Sequence, residues 1–518
     1  MKHYDLIVIG SGPAGHKGAI AASKMGKKVA LIERQFNRLG GVCLHTGTIP
    51  SKTMREAIMH LTGYRQREVY SELYRKNDTS RWMTYGKIAQ VTQHERDLIH
   101  DQLERNGIDV HVGDAQFQDP NTIGILDHKG ELSHCITGDK ILIACGTKPA
   151  RPPHMEFDGT SIFDTDQILQ LDRIPRSMIV VGGGVIGIEY AIMFAILGVE
   201  VTVVDGRDRL LDFCDREIID TLLYHARSLE MVMRLGENVT GMDRQRNGTV
   251  VVQLESGKRL IADTALFSAG RVGDVDELDL PAAGLKTDER GRLWCDDNFR
   301  TWQPHIYGVG DIVGFPALAS TSMEQGRRAV CNMFNKVYEH VDQLPYGLYT
   351  IPEISMIGKT EHQLTQDRVP YEVGVARYHE IARGHISVDV HGMLKLLFHR
   401  ETKKLLGVHC IGESATELTH IGQAVMALDG TIEYFRDTVF NYPTMSECYK
   451  VAAFDGLNKL QLDLELSESA YKYEEEKGSV ETAAVDIKEA EAQEQKNLEE
   501  QKELDEQQKL VVAAKSEE

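Results

Sequence analysis

Two short glycine-rich segments constrain this chain more than any other feature. Gly10-Ser11-Gly12-Pro13-Ala14-Gly15 follows the apolar run Leu6–Ile9, and Gly182-Gly183-Gly184-Val185-Ile186-Gly187 follows the apolar run SMIVV. Each is answered by an acid at the end of the next apolar run. Glu33 closes VALIE and Asp205 closes VTVVD, both 23 positions after the first glycine of their turn. Glycines here let a backbone approach a pyrophosphate at a helix N-terminus, and the acid can accept from a ribose hydroxyl. One GxGxxG alone is weak, because a tight strand–helix turn with no ligand has the same letters. Two copies in strand–helix context with matched acids favour two dinucleotide sites.

Apolar, strand-like runs alternate with helical patterns from residue 4 to about 345, the rhythm of a parallel sheet wrapped by helices. From about residue 347, short runs such as Leu394–Phe398 and Leu405–Cys410 alternate with helical stretches around 414–428 and 444–459, which reads as an α+β unit. The expected fold is α/β, with two Rossmann-type dinucleotide-binding domains, a C-terminal α+β domain and a tail. The first domain takes residues 1–150 and returns at 272–346, the second takes 151–271, the C-terminal domain 347–460 and the tail 461–518. The tail holds 18 Asp and Glu against 7 Lys and Arg, so it carries −11 of the chain's net −20. Its apolar positions are too sparse for a core-facing stripe, so it reads as disordered or loosely helical, with an acidic docking arm as the alternative.

The net acidity disfavours nucleic acid or an acidic membrane as a partner. The longest apolar stretch, Ile186–Val204, is interrupted by Glu189 and Glu200 and reads as a helix followed by a strand, not a membrane span. Eight scattered cysteines without a CxxC look like reduced thiols. The N-terminus enters a strand at once, with no room for a secretory leader. A cytoplasmic location is the expectation.

Two dinucleotide sites imply two dinucleotides, and the economical chemistry between them is hydride transfer between a nicotinamide and a flavin. A third signal agrees. The segment from Thr301 to Asp311 is a turn, a short strand and a GxGD ending, whose Asp311 can bond the ribityl hydroxyls of FAD. The peptide Ala144-Cys145-Gly146-Thr147-Lys148-Pro149 matches an ATG-type strand end at a crossover between nucleotide domains.

On these motifs residues 4–460 resemble the two-dinucleotide-binding flavoproteins typified by glutathione reductase and dihydrolipoamide dehydrogenase. The resemblance implies non-covalent FAD and a homodimer, possibly a higher homo-oligomer, built through the C-terminal α+β domain as a dimerisation domain. It implies cofactor contacts at Gly10, Gly12, Gly15, Glu33, Arg34, Gly41, Cys43, Lys52, Ala115, Gly146, Gly310 and Asp311, and nicotinamide-nucleotide contacts at Gly182, Gly184, Gly187, Asp205, Arg207 and Gly270.

It also locates the redox centre, where this chain departs from the disulfide reductases. Those members carry GGxCxxxGCxPSK and a C-terminal His-Pro pair. Here Cys43 keeps the first thiol, Thr48 stands at the second, and Tyr442 in Asn441-Tyr442-Pro443-Thr444-Met445-Ser446-Glu447 stands at the histidine. Dithiol exchange needs a second thiolate to resolve a mixed disulfide and a group titrating near neutrality; tyrosine, with a pKa of about 10, serves poorly. GTIPSK and NYPTMSE, with TIPEIS at 350–355, GKTEHQLT at 358–365 and LFHRETKKLLGVHCIGE at 397–413, closely resemble the soluble FAD-dependent pyridine nucleotide transhydrogenases. That subfamily passes hydride from NADPH through FAD to NAD+ and back, with NAD(H) and NADP(H) as substrates.

The resemblance pairs Lys52 with Glu189 beside flavin N5, where a cation stabilises developing negative charge. The plain alternative is a surface Lys and a helix-face Glu, but an unpaired carboxylate in IGIEYAIMFAIL is costly. It also carries Tyr442 and Glu447 across a two-fold interface into the partner's site. A helix starting near Leu318 could add positive potential from its N-terminus. Asp205 suits a free ribose 2′-hydroxyl, while Arg207 and Arg209 suit a 2′-phosphate, so one site is expected to serve both nucleotides in ping-pong order; the plain alternative makes both arginines solvated loop charges. Cys43 with His45 lacks further ligands at metal spacing, so no metal is expected. Cys145 reads as a small core residue, and His409, Cys410 and His420 as packing or dimer-interface residues. Two rival activities are a disulfide or quinone reductase of the same fold and a non-catalytic flavin-binding interaction protein.

Overall fold

The computed structural model describes residues 1–64, 80–338, 343–389 and 391–462, together with 493, 495–498 and 501. The expected tail therefore lies outside the described residues apart from 461–462, which end a helix spanning 447–462, and the exposed helical positions 493, 495–498 and 501.

Among the described residues the first sheet has seven strands. Lys2–Ile9 lies between Val29–Glu33 and Leu132–Ile143, with Asp109–Val112 beyond Val29–Glu33 and Ile306–Gly308 on Leu132–Ile143, all parallel. Its central strands are continuous apolar runs because helices cover both faces; Leu6, Ile7, Val8 and Leu31 are fully buried. The second sheet is also parallel, in the order Val232–Leu235, Glu200–Asp205, Ser177–Val181, Thr264–Phe267 and Ile162–Asp164. Both glycine turns thus leave the C-terminal end of a parallel strand at the edge of a crevice, where ligands of such sheets bind. The two links between the sheets, Thr147–Pro149 and Arg271–Gly273, pair as an antiparallel ribbon.

The expected all-parallel rhythm is incomplete. Asp114–Asp119 and Thr122–Leu126 extend the first sheet antiparallel, and Val239–Arg244, Val250–Leu254 and Arg259–Ala262 form a separate antiparallel meander. Asp114–Asp119, Val239–Arg244 and Arg259–Ala262 have mixed exposure, so their letters carry no continuous buried run. The C-terminal sheet is antiparallel, in the order Tyr346–Leu348, Ile354–Gly358, Leu405–Ile411, Met393–His399 and Tyr371–Arg377, and is backed by Ala415–Ala427 and the helix 447–462. The apolar stretch after Gly184 resolves into the helix Val185–Ile196, buried from Gly187 to Ile196, and the strand Glu200–Asp205. Among the described residues no helix is long and apolar enough to cross a membrane.

Candidate active site

The two glycine turns repeat one set of local requirements. Gly10 and Gly182 both sit at φ +100°, and a Cβ on Gly15 or on Gly187 would lie 1.9 Å from the carbonyl oxygen of Gly10 or Gly182, respectively. Gly12 and Gly184 instead cap the helices Pro13–Lys24 and Val185–Ile196 and have nothing within 4 Å of a would-be Cβ. The first and third glycines therefore permit chain-on-chain contact, and the second leaves room for a ligand. Gly15, Gly182 and Gly187, expected as direct contacts, lie off the cavity wall and act through packing.

A cavity of about 1010 Å³ runs from the first turn to the C-terminal domain. At one end Ser11 Oγ donates to Glu33 Oε2, Ser11 N approaches the same oxygen at 3.2 Å, and Gly40 N donates to Ser11 Oγ at 3.0 Å. Burial pushes the Glu33 carboxyl up, against the stabilisation from Ser11 and backbone N–H groups. Arg34 spans Asp114 at 2.5 Å, Glu277 at 3.2 Å and Asp274 at 3.3 Å, so its guanidinium is an ionic hub of the wall. Ala115, Gly146, Gly41, Gly270 and Gly310 line the same space. Asp311 is likewise pushed up by burial, with the Arg271 guanidinium, Ser322 and Thr147 pulling the other way. Arg271 is fixed by Thr147 O at 2.7 Å and Asp166 at 3.1 Å, which ties the crossover ribbon to the cavity.

In the middle, the helix Thr48–Thr62 presents Lys52 to Glu189 of the helix Val185–Ile196, with Nζ 2.6 Å from Oε2. The second oxygen of Glu189 accepts from Tyr349 N at 2.8 Å, and Lys52 Nζ stands 5.1 Å from the Tyr349 ring centroid. The carboxylate side chain is 5% exposed and the ammonium side chain 24%, so the cation faces the cavity while its counter-charge is buried behind it. Burial pushes the Cys43 thiol up, with Thr48 and Lys52 opposing. The cavity's other thiol, Cys145, is pushed up to about 12 by burial and sits among Asp274, Arg34 and Glu277. All eight cysteines are free, and no thiol partners Cys43.

The second acid is differently placed. Arg207 grips Asp205 with Nε at 3.0 Å and Nη2 at 2.8 Å, while Gly183 N and Arg207 N donate at 2.6 and 2.8 Å. Burial alone would raise the Asp205 carboxyl, but these donors hold it below the usual carboxylate range. Arg209 is exposed, and neither Asp205 nor Arg207 reaches the cavity wall, which the second glycine turn touches only at Gly184, with Val185 and Ile186 following it.

Tyr442 is 73% exposed and outside the cavity of its own subunit, and Glu447 Oε2 is buried without a partner. His45 Nε2 meets Leu39 O at 2.9 Å. His420, read from sequence as a packing or dimer-interface residue, is exposed and also lines the cavity, with Nδ1 2.7 Å from Gln423 Oε1. Sequence reasoning also passed over Arg271 and Tyr349, whose surroundings come from distant segments; only the arginine right after Gly270 offered a signal.

FAD fits this wall. Gly12 leaves a helix N-terminus open to a pyrophosphate, and the buried Glu33 and half-buried Asp311 line the cavity as acceptors that are hydrogen-bonded by the hydroxyls of Ser11 and Ser322. The chain belongs to the pyridine nucleotide-disulphide oxidoreductase family: it matches that description over residues 4–326 and the family's dimerisation domain over 344–453. Within that class it is 53% identical, over 89% of its length and 98% of the relative, to the soluble pyridine nucleotide transhydrogenase of Mycobacterium tuberculosis (strain ATCC 25177 / H37Ra). The enzyme of the same name from Chromohalobacter salexigens is 43% identical, over 88% of this chain and 99% of that protein. Among solved structures, the Cu(II) complex of the HOCl-induced flavoprotein disulfide reductase RclA from Escherichia coli matches with a TM-score of 0.78 at 26% identity, covering 88% of this chain and 99% of that one.

Proposed function

We propose that this protein is a soluble, cytoplasmic NAD(P)+ transhydrogenase, passing hydride from NADPH through non-covalent FAD to NAD+, and in reverse. The observation that carries this reading is the centre itself, the single thiol of Cys43 with a threonine at position 48 and a lysine–glutamate pair at Lys52 and Glu189, and no second thiol to support disulfide exchange.

FAD, when bound, supplies the two-electron carrier between the nucleotides. Glu33 and Asp311 would accept from its hydroxyl groups, and the N-terminus of Pro13–Lys24 beyond Gly12 would take its pyrophosphate. Lys52 offers a preformed positive charge held by Glu189 and Tyr349 N, so no reorganisation is needed when negative charge develops beside it. Cys43 stays protonated and, with Thr48, fills space without becoming a nucleophile. Gly270 and the Gly184 turn receive the nicotinamide nucleotide, and Asp205 and Arg207 meet its 2′-position. One such turn serves both nucleotides, so donor leaves before acceptor enters.

The domains run 1–150 with 272–346, 151–271 and 347–460. A homodimer forms through the last of these, bringing Tyr442 and Glu447 into the partner's site. Steady-state kinetics with NADPH and NAD+ both varied test the scheme: parallel double-reciprocal lines are expected, and intersecting lines would remove the single-site order.

A further inference from the structure

Three aromatic side chains from separate stretches of chain meet at the cavity. Phe315 comes from the loop between Asp311 and the helix Ala319–Met333, Tyr346 from the strand Tyr346–Leu348, and Phe213 from the loop after Asp205. Tyr346 and Phe315 lie within 16° of parallel with centroids 6.3 Å apart, and Phe213 stands 4.9 Å from Tyr346 and 6.4 Å from Phe315. Phe213 is steadied two residues on, where Asp215 binds the fully buried Lys395 at 3.0 Å. Tyr346 lines the cavity within electrostatic reach of Glu189 and Asp311. These two rings form a firm platform at the Lys52–Glu189 end.

Phe315 differs. It also lines the cavity but is 72% exposed, although the backbone beneath it is tied by Thr321 Oγ1 donating to Pro316 O at 2.8 Å. A ring left that open forfeits most of the burial it could recover, and its distances from both neighbours lie near the outer limit for aromatic contact. Among the described residues its ring neighbours are Tyr346 and Phe213, which stand beside it. A flat heteroaromatic ring arriving at Lys52 would supply the missing face.

We propose that Phe315 is the gate of the nicotinamide site: it closes on the bound nicotinamide against the Tyr346–Phe213 platform and swings clear for release. The inference rests on the cavity taking a nicotinamide nucleotide. Because Asp205 and Arg207 lie off this wall, the gate acts on the part that NAD(H) and NADP(H) share and treats them alike. In a ping-pong site it opens twice per turnover, once for each departing product.

Calorimetric titration of the FAD-loaded enzyme with NAD+ and with NADP+ tests this. Phe315→Ala should weaken both by about tenfold, the loss of one good ring contact. It should slow flavin bleaching at limiting NADPH, and Phe315→Tyr should recover both readouts. An unchanged Kd in Phe315→Ala, a loss confined to NADP+, or no recovery with tyrosine would overturn the gate. A parent enzyme that binds both nucleotides but fails to transhydrogenate would defeat the proposed function and leave the gate standing, because calorimetry reads binding without turnover.

Discussion

The turns at Gly10 and Gly182 share their φ, their helix caps and the close approach of their third glycine, yet their acids stand in different company. Glu33 is buried, bonded by Ser11 and backbone, and pushed toward neutrality. Asp205 is gripped by a guanidinium that is itself 45% exposed, and stays ionised. A buried acceptor bonded only by neutral donors suits a group that arrives once and stays, since its hydroxyls join that network without an ion pair to break. An acid already paired to a part-exposed arginine suits a visitor, because the pair can exchange partners and re-form on release. Under the proposed function the same backbone device would serve a resident cofactor in one unit and a transient substrate in the other, with the side chain opposite the acid making the difference.

The comparison breaks most visibly at the third glycines. Gly15→Ala and Gly187→Ala each drive a methyl into a carbonyl oxygen, an overpacking of about 1–3 kcal/mol or more. Gly15→Ala is expected to purify largely without flavin, whereas Gly187→Ala keeps its flavin absorbance but is no longer bleached by NADPH. Flavin loss from both variants would mean that the two turns do not divide the work.

Lys52→Met is next in size. It strands the buried Glu189 carboxylate, a defect worth up to about 3–5 kcal/mol where both partners are buried and less here because Lys52 is part-exposed. Flavin reduction in stopped flow should slow by about a hundredfold. Lys52→Met/Glu189→Gln should regain most of the melting temperature without the rate; recovery of both would make the pair merely structural.

Arg207→Ala sharpens the contrast at Asp205. Losing the guanidinium should raise the KM for NADPH by about tenfold and leave that for NADH unchanged or lower, because Asp205 is then free for a 2′-hydroxyl. An equal rise for both nucleotides would remove the arginine from recognition.

The smallest effect is on stability against pH. Asp205 has a lowered folded pKa, so the Asp205–Arg207 contribution is fully present above the unfolded value of about 3.9 and is lost as pH falls through the folded one. Given the exposure of Arg207 it amounts to about 1 kcal/mol or less. The melting-temperature gap between parent and Arg207→Ala should hold from neutrality to about pH 5 and close below about pH 4. Glu33, raised by burial, has the opposite sign, its cost growing as pH rises past the unfolded value.

The sequence by itself determined the two nucleotide units, their spacing, the helix entries after Gly12 and Gly184, and the absence of a second thiol at Thr48. These are legible because they depend on short-range sterics: a glycine turn between a buried strand and a helix leaves its signature within a few residues. The need for a partner at Glu189 was legible too, since a carboxylate in an apolar helix demands one, whereas its identity rested on resemblance. Tertiary structure alone decided that Tyr349 N takes the second oxygen of Glu189, that Arg271 anchors the crossover beside Asp311, that Arg207 turns back onto Asp205, and that His420 faces the cavity. The Tyr349–Glu189 and Arg271–Thr147 contacts join segments 160 and 124 residues apart, and even Arg207 and Asp205, two positions apart, could have faced solvent or each other. Side-chain pairing is settled by which surfaces the packed sheets bring together and how much water they exclude, and neither is written in the local order of residues.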